Sequence, residues 1–225
     1  NRPRPQSGRL RLPARPGPAA KLPNRPLSKV AALSNLFSES PTPFIHYRAT
    51  EYLYCRAFGA ENLSRSDVAI DARKDNIGIG IKTFVYNNKP KYEKIAEFNR
   101  ALSTYSSNDA LEKVKIIAGL RNERIELVER TFDIRTTIYH CIARTPGKLI
   151  IFEDSMPKIQ TENIALTNSD NSLVRFTDGV HKYAFNVSKS TLFKEFYAQA
   201  PSFIQEVKIH TDPFSLIDSM NIEGL

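Results

Sequence analysis

The stretch SDVAIDARKDNIGIGIKTF, Ser66 to Phe84, constrains the fold more than any other part of the chain, because its alternation assigns side chains to faces. In Ile77-Gly78-Ile79-Gly80-Ile81-Lys82 the three isoleucines fall on one side of a strand, and Gly78, Gly80 and Lys82 fall on the other. In Asp67-Val68-Ala69-Ile70-Asp71 two branched apolars alternate with acidic or small residues in the same way. Between them, Ala72-Arg73-Lys74-Asp75-Asn76 has turn chemistry, since Asp and Asn bond their own backbone and tolerate positive φ. The expectation is a hairpin turning about Lys74-Asp75, with Asp67 opposite Lys82, Ala69 opposite Gly80 and Asp71 opposite Gly78. Five branched apolars would enter one core together, and a slip of one residue would turn them all outward.

The second face of that hairpin carries two carboxylates and an ammonium above a floor of Ala and Gly. Directly opposed Cβ atoms lie roughly 4.5 to 5.5 Å apart, close enough for Asp67 and Lys82 to form an ordinary cross-strand ion pair on a wet face. Two glycines inside one strand point to something else. Glycine weakens a strand and marks close approach of a ligand or another backbone.

An acid that opens one strand, followed on the next by an apolar run ending in x-x-K, resembles the PD-(D/E)xK nuclease core of type II restriction endonucleases. The resemblance covers about Pro43 to Arg144, in the order helix, strand, strand, long helix, strand. Asp67 matches the family's first Asp and Lys82 its Lys, while Gly80 stands where the family carries its second acid. The resemblance implies an α/β fold with a restriction-endonuclease-like core, a mixed sheet flanked by helices, and a β-rich C-terminal part. It also implies Mg²⁺-dependent hydrolysis of phosphodiester bonds in double-stranded DNA, leaving a 5′-phosphate, by a homodimer that cuts both strands. Asp67, Lys82 and Glu51 are then the expected catalytic residues. Asp67, Glu51 and Asp71 are the expected metal ligands, with Glu51 or Asp71 replacing the acid missing at Gly80, and Lys82 lies beside the attacking water. Mg²⁺ retains several waters, so two or three carboxylates suffice. Three functions fit: a sequence-specific restriction enzyme, a less selective nuclease of repair or defence, and a non-catalytic nucleic-acid-binding module with a decayed site.

A net charge of +8 invites a nucleic-acid reading, but its location weakens the argument. Residues 1–38 hold eight basic side chains and no acid, which leaves 24 basic against 24 acidic residues in the remainder. Any basic groove in the body must therefore come from charge segregation. Residues 1–26, with seven prolines and seven Arg or Lys, cannot bury enough surface to order themselves; an extended tail is expected, either a basic arm along a phosphate backbone or a non-native leader. Cys55 and Cys141 are too few for a disulfide framework or a zinc cluster, which suits a reduced, cytoplasmic setting. No run approaches the roughly 18 apolar residues of a membrane span, so no membrane partner is expected. The four histidines are dispersed and form no zincin pattern, and serine elbows and GxGxxG loops are absent.

The expected organisation is a basic tail and short helix over 1–40, a nuclease core over 41–155, and a β-rich extension of the same domain over 156–225. Within it the patterning predicts helices over Pro26–Phe37 and Ile45–Phe58, the latter closed by Gly59. Ile95, Phe98 and Leu102 predict a helix over Tyr92–Leu102, from which the resemblance lets Lys94 or Asn99 reach the scissile phosphate. Asn108-Asp109 predicts the cap of a helix through Phe132, followed by a strand over Thr136–Ala143, a turn at Thr145–Lys148 and a return strand over Leu149–Glu153. Short strands are expected over Ile159–Phe185, a helix over SKSTLFKEFYAQA, and a last strand over Phe203–His210. With no obvious closing element at its end, the chain is expected to be a fragment of a longer protein.

Overall fold

Two β-sheets share one long helix in the computed structural model, which describes residues 24–66, 68–106, 109–169, 172–199 and 201–220. In chain order the elements begin with helices α1 (Asn24–Ala32) and α2 (Tyr47–Phe58), then strands β1 (Glu61–Asn62), β2 (Ala72–Lys74), β3 (Ile77–Val85) and β4 (Lys91–Glu97). Helices α3 (Leu102–Tyr105) and α4 (Ala110–Phe132) lead into the hairpin of β5 (Thr136–Thr145) and β6 (Lys148–Ser155). Strands β7 (Ala165–Ser169), β8 (Leu173–Thr177), β9 (Lys182–Asn186), β10 (Thr191–Phe196) and β11 (Phe203–Glu206) follow, and α5 (Pro213–Ser219) comes last.

The first sheet runs β1-β2-β3-β5-β6-β11 and the second β4-β10-β9-β8-β7. The pairing of β3 with β5 is parallel and every other pairing is antiparallel, so the first sheet is mixed. A parallel pair cannot be closed by a tight turn and needs a crossover. Here the crossover contains β4, α3 and α4. Strand β4 leaves the first sheet to found the second, and α4 returns across both. Asp109 starts α4 by accepting from the Glu112 amide at 2.9 Å, and Asp133 ends it in the left-handed region at φ 50°.

The buried stripe of α4 is Val114, Ile117, Ala118, Arg121, Ile125 and Val128. Its first half packs with Phe98, Tyr105, Phe176 and Phe185 against the second sheet. Val128 packs with Phe84, Tyr139, Cys141 and Phe152 against the first. The opposite face of the first sheet is covered by α1 and α2, through Cys55, Ala72, Ile79 and Ile81 at one end and Ala31, Ile45, Ile142 and Leu149 at the other. The sheets are also tied by Lys194 of β10, which is nearly fully buried and reaches Asp154 of β6 at 2.6 Å. Among the described residues no helix is long and apolar enough to cross a membrane.

The architecture is therefore α/β, with a mixed sheet flanked by helices and a β-rich C-terminal part, as expected. Helix α2 with left-handed Gly59, helix α4, and the β5–β6 hairpin fall where the patterning puts them. Three elements differ. Tyr92–Leu102 is strand β4 followed by a 3-10 turn, because Tyr92, Glu93, Lys94 and Ala96 pair with β10, with Ile95 at a register shift between them, while Phe98 and Leu102 lie beyond the strand's end. SKSTLFKEFYAQA contains strand β10, whose Leu192 and Phe196 fill the cores. The last strand is short, and α5 forms behind it.

The opening hairpin differs most. It turns at Asp75-Asn76, with Asp75 at φ 52°, and pairs Ala72 with Ile79, Arg73 with Gly78 and Lys74 with Ile77. This register is two residues away from the expected one. Ala72–Lys74, read as turn, is the strand, and the segment before it forms bends. The five branched apolars consequently divide: Ile79 and Ile81 face α2, whereas Ile70 and Val68 join the cluster on the α4 side.

The glycines of β3 do report close approach, though the approaching groups belong to the chain. A Cβ on Gly80 would lie 2.5 Å from Met156 Cε and 2.9 Å from the Tyr139 ring; one on Gly78 would lie 3.1 Å from Ile70 Cγ2. The Met156 backbone is clamped by Thr137, whose hydroxyl donates to the Met156 carbonyl at 2.6 Å and whose own carbonyl accepts the Met156 amide at 3.1 Å, so only the tip of the methionine can yield. Gly80→Ala is expected to cost about 1–3 kcal/mol through overpacking, read as a lower urea midpoint at unchanged m-value. A cost near zero would mean that Tyr139 does not hold its place.

Candidate active site

Where the β2–β3 ladder stops, a side chain takes over from the backbone. The Asp71 amide donates to the Ile79 carbonyl at 2.8 Å, and the next amide along β3, that of Ile81, donates to Asp71 Oδ2 at 2.7 Å. The Asp71 carbonyl accepts from Leu63 at 2.9 Å. Asp71 is thus fixed at three points, and its carboxylate sits at the mouth of a cleft of about 630 Å³ that Lys82 also lines. The cleft runs between the α4 side of the first sheet and the end of β4.

Lys82 alternates with Gly80 on β3, so it rises from the same face as the Tyr139 ring that covers the glycine. Its Nζ lies 5.9 Å from the centroid of that ring. The side chain keeps some solvent access through the cleft yet is densely surrounded. Desolvation lowers its pKa from the ordinary 10.5, and Arg121 pushes the same way, while Asp71, Cys141 and Glu93 oppose it. Glu93 of β4, a carboxyl raised by burial and opposed by Lys91, Lys82 and Arg144, is a neighbour that the helical reading of that segment could not disclose.

Glu51 reaches the region from α2. It is 6% exposed, and Arg48 Nη1 lies 3.4 Å from its Oε2 and also donates to the Ser64 carbonyl at 3.1 Å. Burial raises the Glu51 carboxyl, and the nearby Asp71 charge adds to the rise, against hydrogen bonding from Ser64 and Arg48. A carboxyl held up by burial and by a neighbouring negative charge is what a shared cation would relieve. Glu51 does not line the cleft itself. Among the described residues no group of three or more His, Cys, Asp or Glu side chains is placed to hold a metal ion. Asp67, the first of the expected ligands, lies outside the described residues.

The other expected polar groups are engaged elsewhere. Lys94 and Asn99 both bond the Glu97 carboxylate at the cleft's edge. His140 is buried beneath Tyr54 and Phe58, on the α2 face, where desolvation lowers its pKa to about 4. The position of the family's second acid is closed off, because Tyr139 and Met156 fill the space in front of Gly80.

Across the cleft stand three basic residues that the sequence reading passed over: Arg100 after β4, and Arg121 and Arg124 on α4. Arg124 lies over the Phe98 ring at 4.4 Å. Arg121 is 2% exposed, and its Nη2 donates to the Tyr139 hydroxyl at 3.1 Å. With Lys82 these cations outnumber the lining carboxylates Asp71 and Glu97, which is the charge segregation an electrically neutral body requires. The sequence did hold a signal for Arg121: it falls at the one position of the α4 stripe, between Ala118 and Ile125, that should be apolar.

Comparison with family models, with curated proteins and with solved structures returns no match for this chain. The site therefore stands on its own geometry.

The lowered pKa of Lys82 has a signed consequence for stability. Below the folded-state value the charged amine bears its full desolvation cost. Between that value and 10.5 the unfolded chain binds more protons, so stability rises with pH; above 10.5 the cost has gone. Lys82→Met is expected to unfold at higher urea than the wild type at pH 7, with the difference shrinking as pH approaches 10.5. A difference constant across that range would show that Lys82 is solvated like a surface lysine.

Proposed function

We propose that this chain is a Mg²⁺-dependent endodeoxyribonuclease of the PD-(D/E)xK type with a restriction-endonuclease-like core, acting on double-stranded DNA. The observation that carries the reading is the meeting of a fixed Asp71 carboxylate and a desolvated Lys82 at one cleft whose opposite wall is basic. Phosphodiester hydrolysis requires charge to be neutralised on the scissile phosphate and a water to be oriented.

The donor chemistry suits a hard cation. Mg²⁺ takes oxygen ligands, keeps several waters, and is often held by one or two carboxylates plus substrate phosphate. Asp71 would hold it, with Glu51 behind, and the bound ion would supply Lewis-acid activation of the phosphate. Asp71 keeps Oδ2 on the Ile81 amide, which sets the carboxylate's direction. Lys82, whose charged form desolvation disfavours, orients the attacking water as an ammonium, or as the neutral amine takes a proton from it. The Tyr139 ring flanks the lysine, and Tyr139 and Met156 fill the space in front of Gly80 beside it. Cutting both strands requires two such clefts, hence a homodimer.

A second reading has its own support. The closed space at Gly80 suits a cleft that binds nucleic acid without cutting it. Plasmid DNA incubated with the purified protein and Mg²⁺ separates them: discrete bands indicate a sequence-specific enzyme, a smear a less selective one, and intact DNA with Mg²⁺ and with Mn²⁺ a binding module. In the enzyme, Asp71→Ala and Lys82→Ala are each expected to lower the cleavage rate by roughly 100-fold or more while the circular dichroism spectrum is unchanged. Near-normal cleavage by either variant would sink the assignment.

A further inference from the structure

Arg121 is the least explained charge in the molecule. Its side chain borders the cleft and is 2% exposed; Nη2 is used by Tyr139, and Nε and Nη1 are buried without a hydrogen-bond partner. No carboxylate among the described residues forms an ion pair with it. A guanidinium removed from water without a counter-charge costs several kcal/mol, and buried N–H groups are almost always satisfied. The helix could have carried Leu or Met at this position at no such cost.

No described residue supplies the anionic partner. Its surroundings specify its class: Lys82 lies near enough to repel Arg121, Arg124 and Arg100 line the same space, and the planar fork of arginine matches the oxygens of a phosphate. We infer that Arg121 is a phosphate-binding residue, which takes a non-bridging oxygen of a nucleic-acid backbone phosphate entering the cleft beside Lys82. The inference rests on the nucleic-acid part of the functional reading and not on cleavage.

The test uses the full chain in EDTA, where nothing is cut. A fluorescently labelled DNA duplex is titrated with wild type and Arg121→Met at several salt concentrations, and thermal unfolding is followed with inorganic phosphate against chloride at equal ionic strength. The expected result is binding weakened about tenfold in the variant, with the slope of log K against log salt smaller by about one. Phosphate should raise the unfolding temperature of the wild type and not of the variant, which should itself unfold no earlier than wild type in chloride. If Arg121→Met fails to fold, Arg121→Lys keeps the charge without the fork, and the same loss of phosphate response is expected. An unchanged salt slope, or an equal phosphate shift in both proteins, overturns the inference. Duplex competed off equally by a mononucleotide and by unlabelled duplex, phosphate for phosphate, would also overturn the backbone assignment. Failure of the wild type to cut DNA with Mg²⁺, with these results intact, would remove the nuclease reading and leave the phosphate site standing.

Discussion

The parallel pairing of β3 with β5 governs the rest of the structure. Nine residues, from Ile77 with Thr136 to Val85 with Arg144, are held side by side in the same direction. That arrangement obliges the intervening chain to travel away and return, and the route it takes builds the cleft's far wall from β4 and α4. The same pairing sets Gly80 beside Tyr139 and Lys82 beside Cys141, so the aromatic ring can slide over the glycine and carry the ammonium above it. Without the glycine the ring would be displaced. Without the ring, Arg121 would lose its only described hydrogen-bond partner.

Within that frame the cleft and the groups behind its walls concentrate unfavourable interactions. Lys82 is desolvated, Glu51 and Glu93 are carboxyls raised by burial, and Arg121 carries a charge with two unsatisfied nitrogens. Elsewhere some buried charge is matched, as in Lys194 with Asp154, or organised by backbone, as in Asp178, which accepts from the Val180 and His181 amides, while Arg144 Nε and His140 Nδ1 are buried without a partner. What sets the cleft apart is that a desolvated lysine, a fixed carboxylate and an unpaired guanidinium border one cavity, which is the clustering expected of a functional site.

Much of this was legible in the sequence where local chemistry decides the outcome. Gly59 and Asp109 mark helix ends because a left-handed residue and a side-chain acceptor are needed there, and the Thr145–Lys148 turn follows from its glycine. Lys82 was placed on the correct face by alternation alone. The rest depended on distant partners. Ile95, Phe98 and Leu102 have helical spacing, yet β10 captures the first part of that segment as a strand. Ala72–Lys74 has no strand propensity to speak of, and pairs because β3 offers it an edge. The two-residue difference in register keeps Asp71 on the face of Gly80 and Lys82, and that is why it still meets the cleft although its expected partner differs, whereas Ile70 and Val68, in the bends before β2, leave the face of Ile79 and Ile81. Arg121 was hidden because a charged residue on a helix is usually solvated; only its position in the apolar stripe gave it away.

Asp71, fixed by the Ile81 amide at the cleft that Lys82 lines, is the residue proposed to hold a divalent cation. Calorimetric titration of Mg²⁺ into the protein bound to a DNA duplex whose 3′ bridging oxygens are replaced by methylene, which resists cleavage and keeps both non-bridging phosphate oxygens for the ion, tests this role most directly, comparing wild type with Asp71→Asn, whose amide oxygen can still accept from Ile81 and preserve the fold. The account predicts saturable Mg²⁺ binding in the wild type and its loss in the variant. Undiminished binding in Asp71→Asn, with both proteins equally stable, would contradict it.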